Sequence, residues 1–586
     1  MARFKYNKAQ QPRESSVEIG TGISALDLKT IARAIPCQEA CPAKTNVPAY
    51  IEAIAQGKPD EAYRINQQDN VFPGVLGRIC TRVCEDACRH QWTNVEGPVQ
   101  ICHLKRYAAD NIREKQTALP PLFEPSGKRV MVIGAGPAGL SAARELSRMG
   151  HEVTVVEKAP VAGGMLVDGI PAFRLPRDII AAEISLIEQG GVSIHTNSSV
   201  STEDVDNYSR THDAVLLAAG TTITNTLSIP GAENIMVSGL DFMRRYNRGE
   251  LTSVKGNVVV IGGGFTAVDC SRAARRIGEP GTEVTIAYRR TEASMAADKN
   301  EFKAMDEEDI AIRTLLSPIR YETDDNGRGI LVLQRNMVAD GTLGTKAKIV
   351  PLEGSEVRIP CDVLIAAIGQ KRDESLLPSG VETEADGRTS RPGLFVSGDF
   401  KGGSADVINA VASGKEVALL MDEHLMGVKR LMRGVKYELT DCDGETGRLR
   451  DHDIQFQLPM PMADVADRFE RNAEVETGFP LLIAQNAATR CYLCHYKFEI
   501  DQDKCIHCNW CIDAAPRDCI KKASRIFFDE DGFPTKVLEA ERNQDATFIY
   551  IDNDNCIRCG KCLRVCPTEA IRMRKLESND CVKCGD

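Results

Sequence analysis

Between residues 128 and 290 the chain twice repeats one pattern of apolar and polar positions. Val130-Met131-Val132-Ile133 is a short unbroken apolar run; a Gly-rich turn, a helix-period stretch and a second apolar run at 151–156 follow. The second copy starts at Asn257 with Val258-Val259-Val260-Ile261, and its second run spans 283–287. Continuous apolar runs read as strands buried on both faces, and the intervening amphipathic stretch as a crossover helix, so each copy predicts a βαβ unit. The openings VMVIGAGPAG (130–139) and VVVIGGGFTA (258–267) align without gaps, which predicts two related, separately loaded nucleotide sites. A further strand at 393–396 and a helical run at about 405–426 are assigned back to the first unit, nesting one Rossmann-type fold in the other.

The flanks are different. Residues 1–125 hold helix-like stretches such as 49–66 and end in a hinge, Leu119-Pro120-Pro121-Leu122-Phe123-Glu124-Pro125. Residues 431–485 are charged and without a period, a linker with some structure. The expected organisation is a helical domain (1–125), a first Rossmann-type domain (126–240 and 372–430), a second one nested in it (241–371), the linker (431–485) and a small α+β domain (486–586). The fold class is α/β.

Charge and hydropathy exclude several partners. With 72 Lys+Arg against 83 Asp+Glu the net charge is −11, and no basic block tracks phosphates, so nucleic acid is not expected. No run of 18 or more apolar residues occurs and MARFKYNKAQQ lacks the apolar stretch of a secretory signal, so no membrane insertion and a cytoplasmic location are expected.

The chemistry starts at the two turns. In Gly134-Ala135-Gly136-Pro137-Ala138-Gly139 the first Gly permits the tight turn, the second lets a pyrophosphate approach the helix N-terminus, and the third lets helix and strand pack closely. Glu157 ends the second strand, where a carboxylate accepts from a ribose. The segment Gly393-Leu-Phe-Val-Ser-Gly398-Asp399 looks like the second flavin contact of two-dinucleotide flavoproteins, which favours FAD here. The second turn, Gly262-Gly263-Gly264-Phe265-Thr266-Ala267, is followed by Tyr288-Arg289-Arg290 where the first copy has its acid. Two guanidinium groups in place of a carboxylate favour a ribose 2′-phosphate, hence NADPH over NADH, with the choice left open.

Cysteine placement says most. Of 21 Cys, six lie within 37–102 and twelve within 491–584, while Cys270, Cys361 and Cys442 stand alone. Dense C-x2-C and C-x3-C spacing in a cytosolic chain reads as metal ligation rather than disulfides. Cys556-x2-Cys559-x2-Cys562-x3-Cys566-Pro567 is the bacterial ferredoxin run, whose last thiolate reaches across to the other cluster. Cys505, Cys508, Cys511 and Cys566 are therefore assigned to one [4Fe–4S] cluster, and Cys556, Cys559, Cys562 and Cys519 to another. Cys491, Cys494, Cys581 and Cys584 remain, and a tetrahedral zinc or single-iron site, a third cluster or a redox dithiol pair are all open to them. Cys37, Cys41, Cys80, Cys84, Cys88 and Cys102 at the other end suffice for one complete cluster. Cys270 and Cys361 read as inert core thiols.

With these pieces in view the chain resembles the small subunit of bacterial glutamate synthase and its relatives, the large subunit of NADH-dependent ferredoxin:NADP oxidoreductase and the electron-input half of dihydropyrimidine dehydrogenase. The resemblance covers about 1–430. It rests on Gly-Arg-Ile-Cys80 with Cys84 and Cys88, on Gly163-Gly164-Met165-Leu and Gly169-Ile-Pro-Ala-Phe173-Arg174-Leu-Pro176, on the Gly264 turn with Tyr-Arg-Arg290, and on Gly398-Asp399. It implies FAD in the first Rossmann unit, contacted by Glu157, Gly164, Met165, Arg174 and Asp399, and NAD(P)H in the second, lined by Gly264, Phe265, Thr266, Arg289, Arg290 and Gly369. Relatives carry Asn or Asp in place of Phe265. They also carry a C-x2-C upstream of Cys37 that this chain lacks, which removes two ligands of one of their two N-terminal clusters. Cys41, Cys80 and Cys84 match the ligands of the other, whose fourth ligand in relatives is a Glu or Gln near Lys105. Cys102, one helical turn away, is the replacement. One N-terminal cluster is expected, and a second is left open.

The implied enzyme is an FAD-dependent NAD(P)H oxidoreductase that needs no side-chain acid or nucleophile. It is expected as a hetro-oligomeric subunit passing electrons to or from a partner redox-enzyme subunit or ferredoxin. Flavin-based bifurcation is the variant within that class. An electron-wiring scaffold with a silent nicotinamide site, for which Phe265 speaks, is the alternative outside it.

Overall fold

The computed structural model describes residues 35–90, 97–297, 299–339, 348–403, 405–430, 434–442, 455–528, 534–552 and 555–581. Near its start, helices α1 (Val47–Ala55), α2 (Pro59–Asp69), α3 (Pro73–Ile79) and α4 (Ile101–Asp110) form the helical domain. The stretch 49–66 is two helices rather than one, because Gly57 turns the chain at φ +74° and Pro59 restarts it at the first helical position. Helices α3 and α4 touch backbone to backbone: a Cβ on Gly77 would lie 2.6 Å from the Arg106 Cα.

The two apolar repeats form two parallel sheets. Strands β1 (Arg129–Ile133) and β2 (Glu152–Val156) lie in the first, in the order Leu394–Val396, Ala214–Leu217, β1, β2, Ser193–His195. Strands β3 (Asn257–Ile261) and β4 (Glu283–Tyr288) lie in the second, in the order Met236–Ser238, Val363–Ala366, β3, β4, Ile310–Thr314. Every pairing in both is parallel. Strand 394–396 follows the whole second sheet in sequence yet joins the first, and is fully buried there. The helices that follow the two turns, α5 (Pro137–Arg148) and α6 (Phe265–Arg276), start at Gly136 and Gly264 as N-caps. The helix Val407–Met426 crosses α5 so closely that a Cβ on Gly414 would meet the Ala138 carbonyl at 2.2 Å.

At the other end, β5 (Gly434–Cys442), β6 (Tyr496–Ile500) and β7 (Ile571–Cys581) make an antiparallel sheet with β7 in the middle. The stretch expected as a linker thus supplies an edge strand. It also fastens two domains: the Gln457 and Leu458 amides bond Pro98 and Gln100 near α4, and Val475 N donates to Phe173 O. One apolar cluster joins α1 and α4 to β6 and β7 through Tyr50, Ile54, Leu104, Phe498 and Met573. No helix among the described residues is long and apolar enough to cross a membrane.

Candidate functional site

A cavity of about 670 Å³ opens between the two parallel sheets. Gly134, Gly136, Pro137, Ala138, Glu157, Gly164, Met165, Arg174, Phe265, Thr266, Gly369 and Asp399 all line it. At Gly136 and Gly264 a Cβ would meet nothing within 4 Å, so both helix N-termini face open space where backbone N–H groups await an anion. Gly139 and Gly262 serve packing instead: a Cβ on Gly139 would lie 2.0 Å from Gly134 O, and one on Gly262 2.3 Å from Ala367 O. Gly398 lies behind the wall against Ala138.

Glu157 is buried, and its carboxylate accepts from the Ala135 and Ala159 amides at 2.8 Å each. Those bonds fix its orientation and leave lone pairs toward the cavity. Burial pushes Asp399 up to about 6, against the bond its carboxylate accepts from Ala405 N at 3.1 Å. Arg174 lines the cavity, but its guanidinium bonds Asp269 at 2.7 Å and Glu301 at 2.8 Å on the second domain. Its charge latches the two sheets together. Arg289 and Arg290 stand past the end of β4, outside the cavity wall; Arg289 is exposed, and the Arg290 Nε is buried with no hydrogen-bond partner among the described residues.

Among the wall residues that escaped sequence reasoning, Ile79, Thr81 and Arg248 bear on the site. Ile79 and Thr81 bring the helical domain to the cavity, and Thr81 Oγ1 donates to Asp406 Oδ2 at 2.5 Å. Their signal was adjacency to Cys80, which itself lines a 120 Å³ side cavity with Phe265 and Arg174. Arg248, paired with Asp168 at 3.1 Å, also lines the main cavity and carried no motif.

The cysteines gather in sets. Lys105 is buried; burial alone would weaken its ammonium, and negative charge on Cys80, Cys41, Cys102 and Cys84 as thiolates would offset that. Burial pushes the Cys102 thiol up to about 12, and it donates to the Leu76 and Gly77 carbonyls at 3.3 Å. Cys505, Cys508, Cys511 and Cys566 line one small cavity of the ferredoxin-like region. The free Cys519 and Cys556 side chains share a hydrogen bond, with Cys562 and Cys559 close enough to oppose ionisation of Cys519.

Cys491 and Cys494 fall elsewhere than the bracketing pattern suggested. They line a cavity with Cys37 and Cys88. Lys575 of β7 pairs with Tyr496 and Cys581 with Gly434, so the Cys581 backbone lies six residues beyond the end of the β6 pairing. Cys584 lies outside the described residues. Cys270 and Cys361 are fully buried in apolar clusters.

These sets fit iron–sulfur centres. Burial, then neighbouring thiols, push Cys37 and Cys562 well up and Cys511 up to about 11. Thiols that oppose one another's ionisation are held as thiolates by a cationic centre. Among the described residues no three His, Cys, Asp or Glu side chains sit at the spacing of a single metal ion.

Residues 128–414 match the pyridine nucleotide-disulphide oxidoreductase family, 31–117 the dihydropyrimidine dehydrogenase domain II, 4Fe-4S cluster family, and 504–570 the 4Fe-4S dicluster domain family. The chain is 34% identical over 511 residues to the NADP(+)-dependent formate dehydrogenase subunit beta of Moorella thermoacetica, covering 78% of this chain and 70% of that one. It is 32% identical over 415 residues to the glutamate synthase [NADPH] small chain of Azospirillum brasilense, covering 65% and 84%. Against the NADPH-Fe(3+) oxidoreductase subunit beta of Geobacter sulfurreducens it is 35% identical over 356 residues, and spans about half of that relative, 52%.

Proposed function

We propose, for a chain that belongs to the glutamate synthase small-chain family of FAD- and NAD(P)H-dependent iron–sulfur oxidoreductases, that it passes electrons between NADPH and a partner redox subunit or ferredoxin. The observation that carries this reading is the shared cavity: both Gly-rich turns, Asp399 and the Cys80-Thr81 corner of the helical domain meet at one space. FAD held there supplies the exchange between a hydride donor and one-electron carriers.

The chain's own residues do the positioning. The α5 N-terminus and Glu157 are placed for the pyrophosphate and ribose of the flavin nucleotide, and the α6 N-terminus for those of the nicotinamide nucleotide. The Arg174 latch and the Thr81–Asp406 bond hold three domains around the space between them. At the far end, Cys505 and Cys508 are half-buried beneath exposed Ile506 and Trp510, which supports electron exit there. The Arg289-Arg290 pair with its unsatisfied buried Nε supports NADPH over NADH.

Anaerobic stopped-flow mixing tests the reading. NADPH is expected to bleach the flavin and then the clusters, with NADH at least ten-fold slower. A flavin that neither nucleotide bleaches would refute it.

A further inference from the structure

The six N-terminal cysteines divide into four and two. Cys80 caps α3 and Cys102 bonds the Leu76 and Gly77 carbonyls of that helix, whereas Cys37 and Cys88 line a separate small cavity and supply only two ligands to it. No other cysteine occurs before residue 37, and none between 102 and 270. The small cavity that Cys37 and Cys88 line is closed by Cys491 and Cys494, more than 400 residues downstream, among Val47, Pro48, Ile51 and Val99. That is four thiols around one apolar space, two from each end of the chain.

The turn carrying the second pair is built like the cluster-binding turns elsewhere in this molecule. In Cys556-Ile-Arg-Cys559 the third residue is left-handed, Arg558 at φ 56°, and its N–H donates to Cys556 Sγ at 3.4 Å. In Cys491-Tyr-Leu-Cys494 the third residue, Leu493, has φ 50° and its N–H donates to Cys491 Sγ at the same 3.4 Å. His507 in the Cys505 turn and Arg82 after Cys80 repeat the left-handed residue at φ 53° and 64°. A β-branched or bulky side chain avoids this region, so Leu493 is held there by its surroundings. Amides aimed at a sulfur are also the bonds by which proteins tune cluster thiolates.

Rigid anchoring makes the pair a fixed part of the helical domain. The buried Arg490 guanidinium donates to Gly97 O at 2.9 Å, Pro98 O at 2.8 Å and Gln455 O at 2.8 Å. Tyr492 stacks on His90 with centroids 4.8 Å apart, and His495 and Tyr496 both bond Glu52 of α1.

We propose that Cys37, Cys88, Cys491 and Cys494 together bind a [4Fe–4S] cluster, the fourth of the chain, which bridges the helical and ferredoxin-like domains. Cys37, Cys84, Cys491, Cys494, Cys511, Cys556 and Cys562 belong to one packed cluster with Cys88 against it, and Cys80 lines the side cavity beside Phe265. The pair thereby restores, from the other end of the sequence, the two ligands missing ahead of Cys37. The cluster count is independent of which nucleotide is the donor, so it stands or falls apart from the proposed function.

Iron, acid-labile sulfide, zinc and FAD per chain, measured on the whole protein purified anaerobically, provide the test. About sixteen iron and sixteen sulfide are expected, four clusters' worth; about twelve would overturn the proposal without any variant. The double variant Cys491→Ala/Cys494→Ala is expected to lose about four iron, four sulfide and one EPR signal of the reduced protein, with FAD content kept as the control for folding. Cys581→Ala/Cys584→Ala is expected to keep all of them. Unchanged iron in the first variant, zinc in place of the missing iron in the wild type, or an equal loss in the second variant would each refute it.

Discussion

Two residue clusters decide how the nicotinamide domain holds its shape and its ligand. Glu308 is fully buried and receives two guanidinium forks, Arg272 at 2.6 and 3.0 Å and Arg276 at 2.9 and 3.0 Å. Arg276 in turn lies 3.8 Å from the ring centroid of Phe173 on the other Rossmann unit. Burial alone would raise the Glu308 carboxyl, and the two arginines hold it down to about 2. A depressed carboxylate stabilises the fold above its unfolded pKa, near 4.5, and loses that contribution as pH falls toward about 2. Glu308→Gln is therefore expected to cost about 3 kcal/mol at pH 7 and to flatten the acid limb of stability between those values, read by denaturant unfolding. Arg289 and Arg290 make the complementary case, because their side chains hold no ion pair among the described residues while their carbonyls are pinned by Asn336 and Leu315. Arg289→Ala/Arg290→Ala is expected to raise KM for NADPH ten-fold or more and leave that for NADH within two-fold; an equal change in both would remove the phosphate from the reading.

Among the elements, α3 and α4 set the innermost of the proposed iron–sulfur sites by their closeness. Cys80 caps α3 and Cys102 sits on α4 with its thiol on the carbonyls of Leu76 and Gly77. Gly77→Ala places a methyl 2.6 Å from the Arg106 Cα and 2.7 Å from its N, so the helices must part and the two thiols with them. Loss of about four iron per chain with FAD retained is expected, and full iron content would show that the site tolerates the shift. The same elements show what a sequence yields. Strands β1 and β3 were legible because unbroken apolar runs and glycine turns are local signals, and Cys505–Cys511 and Cys556–Cys566 because cluster spacing is local too. The partner of Cys491 and Cys494 was not, since contact between α1 and the chain around 490 is set by tertiary packing and leaves no spacing to read. Thr81 and Arg248 at the cavity wall were missed for the same reason, as was the strand at 434–442, whose alternation only acquires meaning beside β7.

Across the whole molecule one carboxylate does for domain docking what the arginine pair does for the nicotinamide domain. Glu52 on α1 accepts from the Tyr496 hydroxyl at 2.5 Å and faces His495 at 3.1 Å and Lys575 at 3.0 Å, so helix, β6 and β7 converge on a single largely buried anion. Its burial opposes ionisation, yet bonds from His495, Tyr496 and Lys575 hold it down to about 2. Removing it takes their shared acceptor from the Tyr496 hydroxyl and the Lys575 ammonium, a cost of about 3 kcal/mol concentrated on one interface rather than on either core. Glu52 lines neither the nucleotide cavity nor the small cavity of Cys37, Cys88, Cys491 and Cys494, so Glu52→Ala is expected to leave flavin reduction at the wild-type rate. Amide exchange in 496–500 and 571–576 should quicken, and electron arrival at the ferredoxin-like clusters after NADPH mixing should slow ten-fold or more. Because the carboxylate is depressed, the wild-type interface should loosen in the same way as pH falls from about 4.5 toward about 2, while the variant shows no such step. Equal exchange in the two proteins at pH 7 would mean that the apolar contacts of Tyr50, Ile54 and Phe498 hold the domains together unaided.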